Sequence, residues 1–400
     1  MTLDLHKIAP QIGEMVTKIK LSNRERQEHI KNALDKLCDK TVNTEKLKRK
    51  IENSRTLAQW PIAGLVDDLF SISASPPIPD EYIVLATDGS HIDVDRNKTA
   101  RCYLINIGAV KICYGADCSA ELDSFPRLFS HENDLVISSR ENKLKKESIQ
   151  GSLLDAKRST EECRVLAEMA SSLPEGATAV ALMDGSLILF GLENYPKFVA
   201  EELLMNSFLK SLDVISDLNS KSKVVLGSYI SFPRSAHVVN ALKVAFCPYE
   251  KADCEQYCSE NKGACEVVSG VEDKDLFLKL LSPGERSALF VNPSVIVDKY
   301  YRDHRVYFFY LRLEDEVARV EVPEWVARHK NRLELAHALI LNQCQRGQGY
   351  PVALSEAHEQ AVLTGRDRDG FWTLVEESLT EGKLAAEFSL KARSKRTRWI

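Results

Sequence analysis

Apolar residues recur at helical spacing through the first 60 residues. Ile8, Ile12, Val16 and Ile19 form one such series, Ile30, Leu34 and Leu37 another, and Leu47 and Ile51 follow less regularly. Lys, Arg and Glu fill the remaining positions, which predicts an N-terminal helical arm that packs or dimerises. Residues 71–80, with three prolines, predict a linker. The period then changes. Tyr82-Ile83-Val84-Leu85-Ala86 is a short apolar run leading into Thr87-Asp88-Gly89-Ser90, which predicts a buried strand with an aspartate at its tip. Residues 102–114 predict a second strand, bent at Gly108, and Leu135-Val136-Ile137 a third. Residues 140–172 have helical spacing and no proline until Pro174-Glu175-Gly176 stops them. Ala179-Val180-Ala181-Leu182-Met183 predicts another buried strand, ending in Asp184-Gly185-Ser186. A helix over 196–218, a strand at Val224-Val225-Leu226-Gly227 and a helix over 236–245 follow. These shifts divide the chain into the helical arm at 1–75, a main domain at 80–370, and a C-terminal helix with a basic tail at 371–400.

The chain has 400 residues, 44% hydrophobic and 28% charged. That balance supports a substantial core and excludes a mainly disordered chain, a collagen-like repeat or a coiled-coil rod. No apolar run approaches the ~20 residues that span a bilayer. Residues 1–20 lack the apolar block of a secretory signal, which predicts a cytoplasmic protein without a membrane partner. A net charge of -5 gives no global sign of nucleic acid, although a local basic stripe would suffice for one.

The order strand, strand, strand, helix, strand, helix, strand, helix implies an α/β fold, a mixed sheet flanked by helices. It is also the element order of the RNase H-like fold. Two buried strands end in the same Asp-Gly-Ser triplet. One Asp-Gly alone is a turn signal; its repetition points to carboxylates gathered at strand ends, the usual way of holding Mg²⁺ or Mn²⁺. Asp88 and Asp184 are the candidates. A third carboxylate is expected from the helix between them. At about 100° per residue, with Cys163 at zero, Leu166, Ala167 and Ala170 form the buried stripe, and Glu162 lies on its flank. Glu161 and Glu168 project to the far side and are the fallbacks. The competing reading makes all three solvated surface charges.

The residues now identify a family. The chain resembles NurA nucleases through Ala86-Thr-Asp-Gly-Ser-His-Ile92, Leu182-Met-Asp-Gly-Ser-Leu-Ile188 and Gly227-Ser-Tyr-Ile-Ser-Phe-Pro-Arg-Ser235. The resemblance continues in Tyr307-Phe-Phe-Tyr-Leu-Arg-Leu313, Arg319-Val-Glu-Val-Pro-Glu-Trp325 and Gly349-Tyr-Pro-Val-Ala-Leu-Ser-Glu-Ala-His-Glu359. It implies an RNase H-like core, a homodimer, and Mn²⁺- or Mg²⁺-dependent cleavage of DNA by 5′→3′ exonuclease and single-strand endonuclease activities. It also implies work with a HerA-like hexameric ATPase in end processing and double-strand break repair. The family's acidic ligands fall on Asp88, Glu162 and Asp184, and its tyrosine and histidine on Tyr350 and His358. His358 shares a helical face with Leu354, Ala357 and Ala361, so a satisfied core histidine is the plain alternative to a metal ligand or water-orienting group. Tyr350 could hydrogen-bond a phosphate, stack on a base, or pack at a helix entry. Arg234, Arg286 and Lys299 are candidate phosphate contacts, with solvated surface charge as the alternative.

Four of the ten cysteines, Cys247, Cys254, Cys258 and Cys265, fall in the spacing C-x6-C-x3-C-x6-C, outside the family's pattern. Four thiolates in nineteen residues suit Zn²⁺ or an iron–sulfur cluster that staples a small Cys-rich insert. The other six read as buried small apolar residues. The basic tail at 391–398 would bind DNA phosphates or an acidic partner, or simply be solvated. No GxxxxGK[ST] motif is present, so energy from ATP must come from a partner. The leading expectation is a metal-dependent deoxyribonuclease. Its rivals are a non-catalytic adaptor tethering a translocase to DNA, and a redox- or metal-regulated nuclease in phage defence.

Overall fold

The computed structural model describes residues 4–37, 43–58, 60–95, 98, 100–116, 118–258 and 263–382; the basic tail at 391–398 lies outside them. Its frame consists of helices α1 (Leu5–Leu37), α2 (Thr44–Ser54), α3 (Ser152–Ser171), α4 (His237–Phe246), α5 (Lys330–Arg346), α6 (Val352–Ala361) and α7 (Gly365–Glu381), with strands β1 (Tyr82–Ile92), β2 (Tyr103–Tyr114), β3 (Ser119–Phe129), β4 (Thr178–Asp184) and β5 (Lys223–Ile230). Two compact units share the chain. One comprises Met1–Ser75, Ser231–Val295 and Tyr307–Val320, the other Pro76–Ile230, Ile296–Val306 and Glu321–Ile400. No helix among the described residues is long and apolar enough to cross a membrane.

The second unit is built on a mixed sheet in the order β3-β2-β1-β4-β5. β1, β4 and β5 run parallel, and β2 is antiparallel to both of its neighbours. β1 and β4 are apolar runs because helices cover both of their faces; Val84, Leu85, Ala86 and Ala179 to Leu182 are fully buried. α3 packs one face through Leu154, Cys163, Leu166 and Ala170, in the stripe its spacing predicts. α6 lies against β2 with almost no gap. A Cβ on Gly108 would stand 2.1 Å from the carbonyl oxygen of Ala357 and 2.6 Å from the amide nitrogen of Ala361. The facing residues Ala353, Ala357 and Ala361 are small and buried. Asn106 locks the contact by donating to the carbonyls of Gln360 and Ala361 at 3.1 and 3.0 Å.

Several expectations need correcting. β2 does not bend at Gly108; its pairing with β1 runs unbroken from Leu104 to Tyr114, and the glycine makes room for a helix. β1 does not end at Asp88 but continues to Ile92. The third strand of the sheet is β3. Its residues are exposed except Phe129, so it has no apolar run to announce it, and Pro126 suits an edge position. Val136–Ser138 is a strand, but it pairs with Lys146–Ser148 in a separate small sheet, which delays the helix expected from residue 140 until Ser152. The helix expected over 196–218 is helical throughout, with a π-helical stretch at Glu201–Phe208.

In the first unit, α1 and α2 place Ile30, Ala33, Leu47 and Ile51 in a core with Val238, Val239 and Leu242 of α4 and with Phe277, Phe290, Phe308 and Tyr310. Nearer the N-terminus of α1, Ile12, Met15, Val16 and Ile19 are exposed. Asp273 is fully buried and caps α4, accepting from the amides of Val238 and Val239 and from the Tyr310 hydroxyl at 2.7 Å. Burial raises its pKa to about 6 despite these donors. Ser235 bonds Tyr310 at 2.8 Å, and the Arg319 guanidinium stands 3.1 Å from His237 and 3.7 Å from the centre of the Phe308 ring.

The α6–β2 contact makes a stability prediction. Gly108→Ala forces backbone apart and should cost roughly 1–3 kcal/mol, lowering the urea midpoint. Gly370→Ala, inside α7 with nothing within 4 Å of the added carbon, should instead raise it by up to about 1 kcal/mol. A neutral Gly108→Ala would mean that α6 does not depend on this contact.

Candidate active site

Alternation along β1 sends Thr87 and Gly89 to the α3 face and Asp88 to the α6 face. Asp88 sits opposite Gly108, so the side chain missing there lets α6 bring His358 down to it. His358 Nδ1 lies 2.7 Å from Asp88 Oδ2. Against an ionised carboxylate, which only accepts, Nδ1 carries the hydrogen and Nε2 is left to face outward. His358 is 60% exposed while Leu354, Ala357 and Ala361 are buried, so it is not a core histidine.

Thr87 of β1 pairs with Met183 of β4. One step on, Asp88 and Asp184 stand at the same level on neighbouring parallel strands and on the same face. Gly185, with φ +78°, then turns the chain, and Ser186 is anchored by donating to buried Glu321 at 2.7 Å. Tyr350 donates to Asp184 Oδ1 at 2.9 Å. Its position follows from the turn between α5 and α6. A side chain on Gly347 would strike the Tyr350 carbonyl, Gln348 and Gly349 adopt positive φ, and the Tyr350 ring packs edge-on against Tyr229 of β5. Burial and the adjacent Asp184 raise the Tyr350 pKa, so the hydroxyl remains a donor at neutral pH. Asp184 keeps solvent access, yet surrounding atoms strip hydration from its carboxylate and raise its pKa; the Tyr350 hydroxyl opposes that shift and Asp88 adds to it.

Glu162 approaches from the other side of β1. An added Cβ on Gly89 would stand 2.6 Å from its Oε1, so this glycine exists for the carboxylate pressed against it, not for a turn. Thr87 donates to the Glu162 carbonyl at 3.2 Å, holding this turn of α3 on the strand. Glu162 is 6% exposed. Arg158 Nε lies 3.2 Å from Oε1, an ion pair without hydrogen-bond alignment, so Oε1 receives no hydrogen bond. Burial pushes the Glu162 pKa up to about 7; Arg158 opposes this, and Asp88 and Asp184 reinforce it.

The donor set is all carboxylate oxygen, with mutual repulsion and one orphaned buried oxygen, which fits a hard divalent cation. Asp88 and Asp184 are the pair open to one, with Glu162 behind the strand. In the described arrangement they are not drawn to a single point. Among the described residues no group of three or more His, Cys, Asp or Glu is placed to hold a metal ion. His358 and Tyr350 occupy an oxygen of each aspartate instead.

The other candidates lie elsewhere. Glu161 is not a solvated charge but a buried hub for Lys157, Arg164 and Arg127; against the effect of burial, Lys157 and Arg164 hold its carboxyl below the usual range. Glu168 is exposed and pairs with Arg164. Arg286 is corrected. It is 8% exposed, donates to the Ser287 carbonyl and stands over Phe309, so it is no surface phosphate contact. Arg234 is exposed in the first unit and Lys299 in the second. The roles of Gly108, Arg158 and Glu321 escaped the sequence reading; Gly108 was singled out for a bend and Glu321 lay in a quoted fragment, whereas Arg158 left no signal.

Residues 82–363 match the family model described as the NurA domain. No curated protein matches the chain. Among solved structures it is similar to an Argonaute of Aquifex aeolicus, at 10% identity and a TM-score of 0.26, over 72% of this chain and 28% of that one. It is similar to Drosophila Piwi at 12% and 0.28, over 70% and 29%, and to the C-terminal lobe of a budding yeast Argonaute at 11% and 0.23, over 73% and 46%. The chain thus spans less than half of each of these proteins, and likeness at such scores carries no argument about fold or function.

Glu162 makes the site pH-sensitive. Its pKa is raised from 4.5 to about 7, so the folded chain holds a proton that the unfolded chain has released between those values. The group leaves stability unaffected below the lower value, lowers it as pH rises from there to the upper one, and the loss is complete above that. In chelator-treated protein, Glu162→Gln should melt with wild type at about pH 4.5 and above it at about pH 8. Melting below wild type at the higher pH would mean that the Arg158 pair outweighs burial.

Proposed function

This chain belongs to the NurA family, and on that footing we propose that it is a divalent-metal-dependent DNA nuclease worked by Asp88, Asp184, Glu162, His358 and Tyr350. The observation that carries the reading is the pair of aspartates at one level of two parallel strands, each already hydrogen-bonded by a residue of the α6 region. The strand order β3-β2-β1-β4-β5, with β2 reversed, supports an RNase H-like reading of the second unit.

Asp88 and Asp184 would hold Mn²⁺ or Mg²⁺, with Glu162 as the third carboxylate. Such a cation supplies Lewis acidity to a phosphodiester and lowers the pKa of water. The remaining work falls to the side chains. His358, steadied through Nδ1 by Asp88, presents Nε2 to accept a proton from the attacking water or to orient it. Tyr350, kept protonated, fixes the rotamer of Asp184 and can turn its donor to a phosphate oxygen. Arg158 limits the charge that Glu162 brings to the strand. Single- and double-stranded DNA are the proposed substrates, cleaved by 5′→3′ exonuclease and single-strand endonuclease action. A HerA-like hexameric ATPase and a second copy of the chain are the proposed partners.

Digestion of end-labelled single- and double-stranded DNA with Mn²⁺ tests this. Asp88→Asn should keep the native circular dichroism and lose cleavage at least ~10²-fold. His358→Ala should lose about 10²–10⁴-fold and flatten the pH–rate profile. Full cleavage by Asp88→Asn would overturn the assignment. Wild-type protein that binds DNA but never cuts it, with or without an ATPase, would favour the adaptor.

A further inference from the structure

The cysteine-rich segment of the first unit is not absorbed by the nuclease reading. α4 ends at Cys247, whose amide donates to the Lys243 carbonyl. Tyr249 and Tyr257 stack at 3.9 Å with their planes 11° apart, folding the start of the segment onto the short helix Cys254–Tyr257. The Cys258 amide donates to the Cys254 carbonyl at 3.1 Å, so the two cysteines are one turn apart and their side chains share a face. Cys265 comes from the returning arm. An added Cβ on Gly263 would stand 3.1 Å from Cys258 Sγ and 3.4 Å from Cys265 Sγ, so both sulfurs bear on one point that no side chain fills. None of the four cysteines is in a disulfide.

Apolar anchors are few in this segment: Cys247 packs against the core of the first unit at its start, Ala252 enters that core, and Val268 does so at its far end. Among the described residues of 247–267, Ala252 alone is buried, while Tyr249, Tyr257 and Val267 are exposed. A loop without a core needs another anchor. Two lysines stand beside the thiols. Half-buried Lys50 reaches the Cys247 carbonyl at 2.5 Å and faces that thiol, and Lys243 faces Cys254 and Cys265. The segment is also the bed of the N-terminal helices. The Ala252 amide donates to Ser54 of α2 at 2.9 Å, Asn32 of α1 donates to the Val267 carbonyl at 3.2 Å, and His29 of α1 bonds the Ser269 carbonyl at 2.7 Å.

We propose that Cys247, Cys254, Cys258 and Cys265 form a tetrathiolate site for one thiophilic metal centre per chain, a zinc ion or an iron–sulfur cluster, that fixes the bed on which α1 and α2 rest. Cys254, Cys258 and Cys265 are neighbours without closing on one point, so binding draws them together with Cys247 and is coupled to local folding. Four thiols binding Zn²⁺ release four protons and leave a site of charge −2, which the two lysines offset. The site is independent of the nuclease reading, and its test needs no cleavage assay.

The test uses the full chain, purified anaerobically without chelators and analysed for zinc, iron and acid-labile sulfide. One outcome is about one zinc per chain and no visible absorbance; the other is iron with matching sulfide and a broad band near ~400 nm. Either supports the site and identifies the metal. Cys254→Ser/Cys258→Ser should lose at least ~tenfold of the bound metal and speed amide exchange in α2, whereas Cys118→Ser, at an exposed thiol outside the segment, should change neither. Should the double variant fail to fold, release of the metal by a thiol-blocking mercurial from the wild-type chain replaces it. Wild-type protein with less than ~0.1 equivalent of either metal, or a double variant that keeps its metal, overturns the proposal.

Discussion

Negative charge crowded around one strand is the constraint to which the second unit answers. Asp88 and Asp184 stand side by side on the α6 face of the sheet, and Glu162 lies behind Gly89 on the α3 face. In water three such groups would separate. Here backbone pairing and helix packing hold them, and each is met by a different partner: an imidazole, a phenol and a guanidinium. Burial raises the pKa values of Glu162 and Asp184, and the neighbouring carboxylates add to that rise. Perturbed carboxylates on an accessible face are a mark of functional sites.

Glycine allows this crowding, by two different means. Gly185 takes a positive φ and turns the chain away from Asp184. Gly89 sits in an uninterrupted strand and yields its side-chain volume to a carboxylate, as Gly108 yields its own to a helix backbone. The two Asp-Gly-Ser triplets look equivalent in sequence, yet one ends a strand and the other does not. The repeat was legible, and the two aspartates it singles out stand side by side on neighbouring strands. The reason for each glycine was not legible, because it depends on which helix arrives opposite.

The same boundary runs through the rest of the reading. Glu162 could be chosen over Glu161 from helical phase alone, since one turn of α3 decides which carboxylate meets the strand. The burial of Glu161 under three cations could not, because Arg127 arrives from β3, a strand whose exposed residues gave no apolar signal. Arg286 looked like surface charge until tertiary packing placed it over Phe309. The fragments that carry the family resemblance divide in a similar way. Asp88, Asp184, Tyr350 and His358 gather at the site, whereas Ser235, Tyr310 and Arg319 gather around Asp273 in the first unit. A shared motif can therefore record architecture as readily as chemistry.

The outer side of β3 pairs with no strand among the described residues. Eleven residues of open backbone would ordinarily recruit another chain and seed aggregation. Pro126 brings no amide donor to this strand, and Glu121, Asp123 and Arg127 give it charges of both signs. Charges and a proline at such a margin are the usual gatekeepers against edge-to-edge pairing. Replacing them with apolar, strand-favouring residues would turn this margin adhesive while leaving the core untouched.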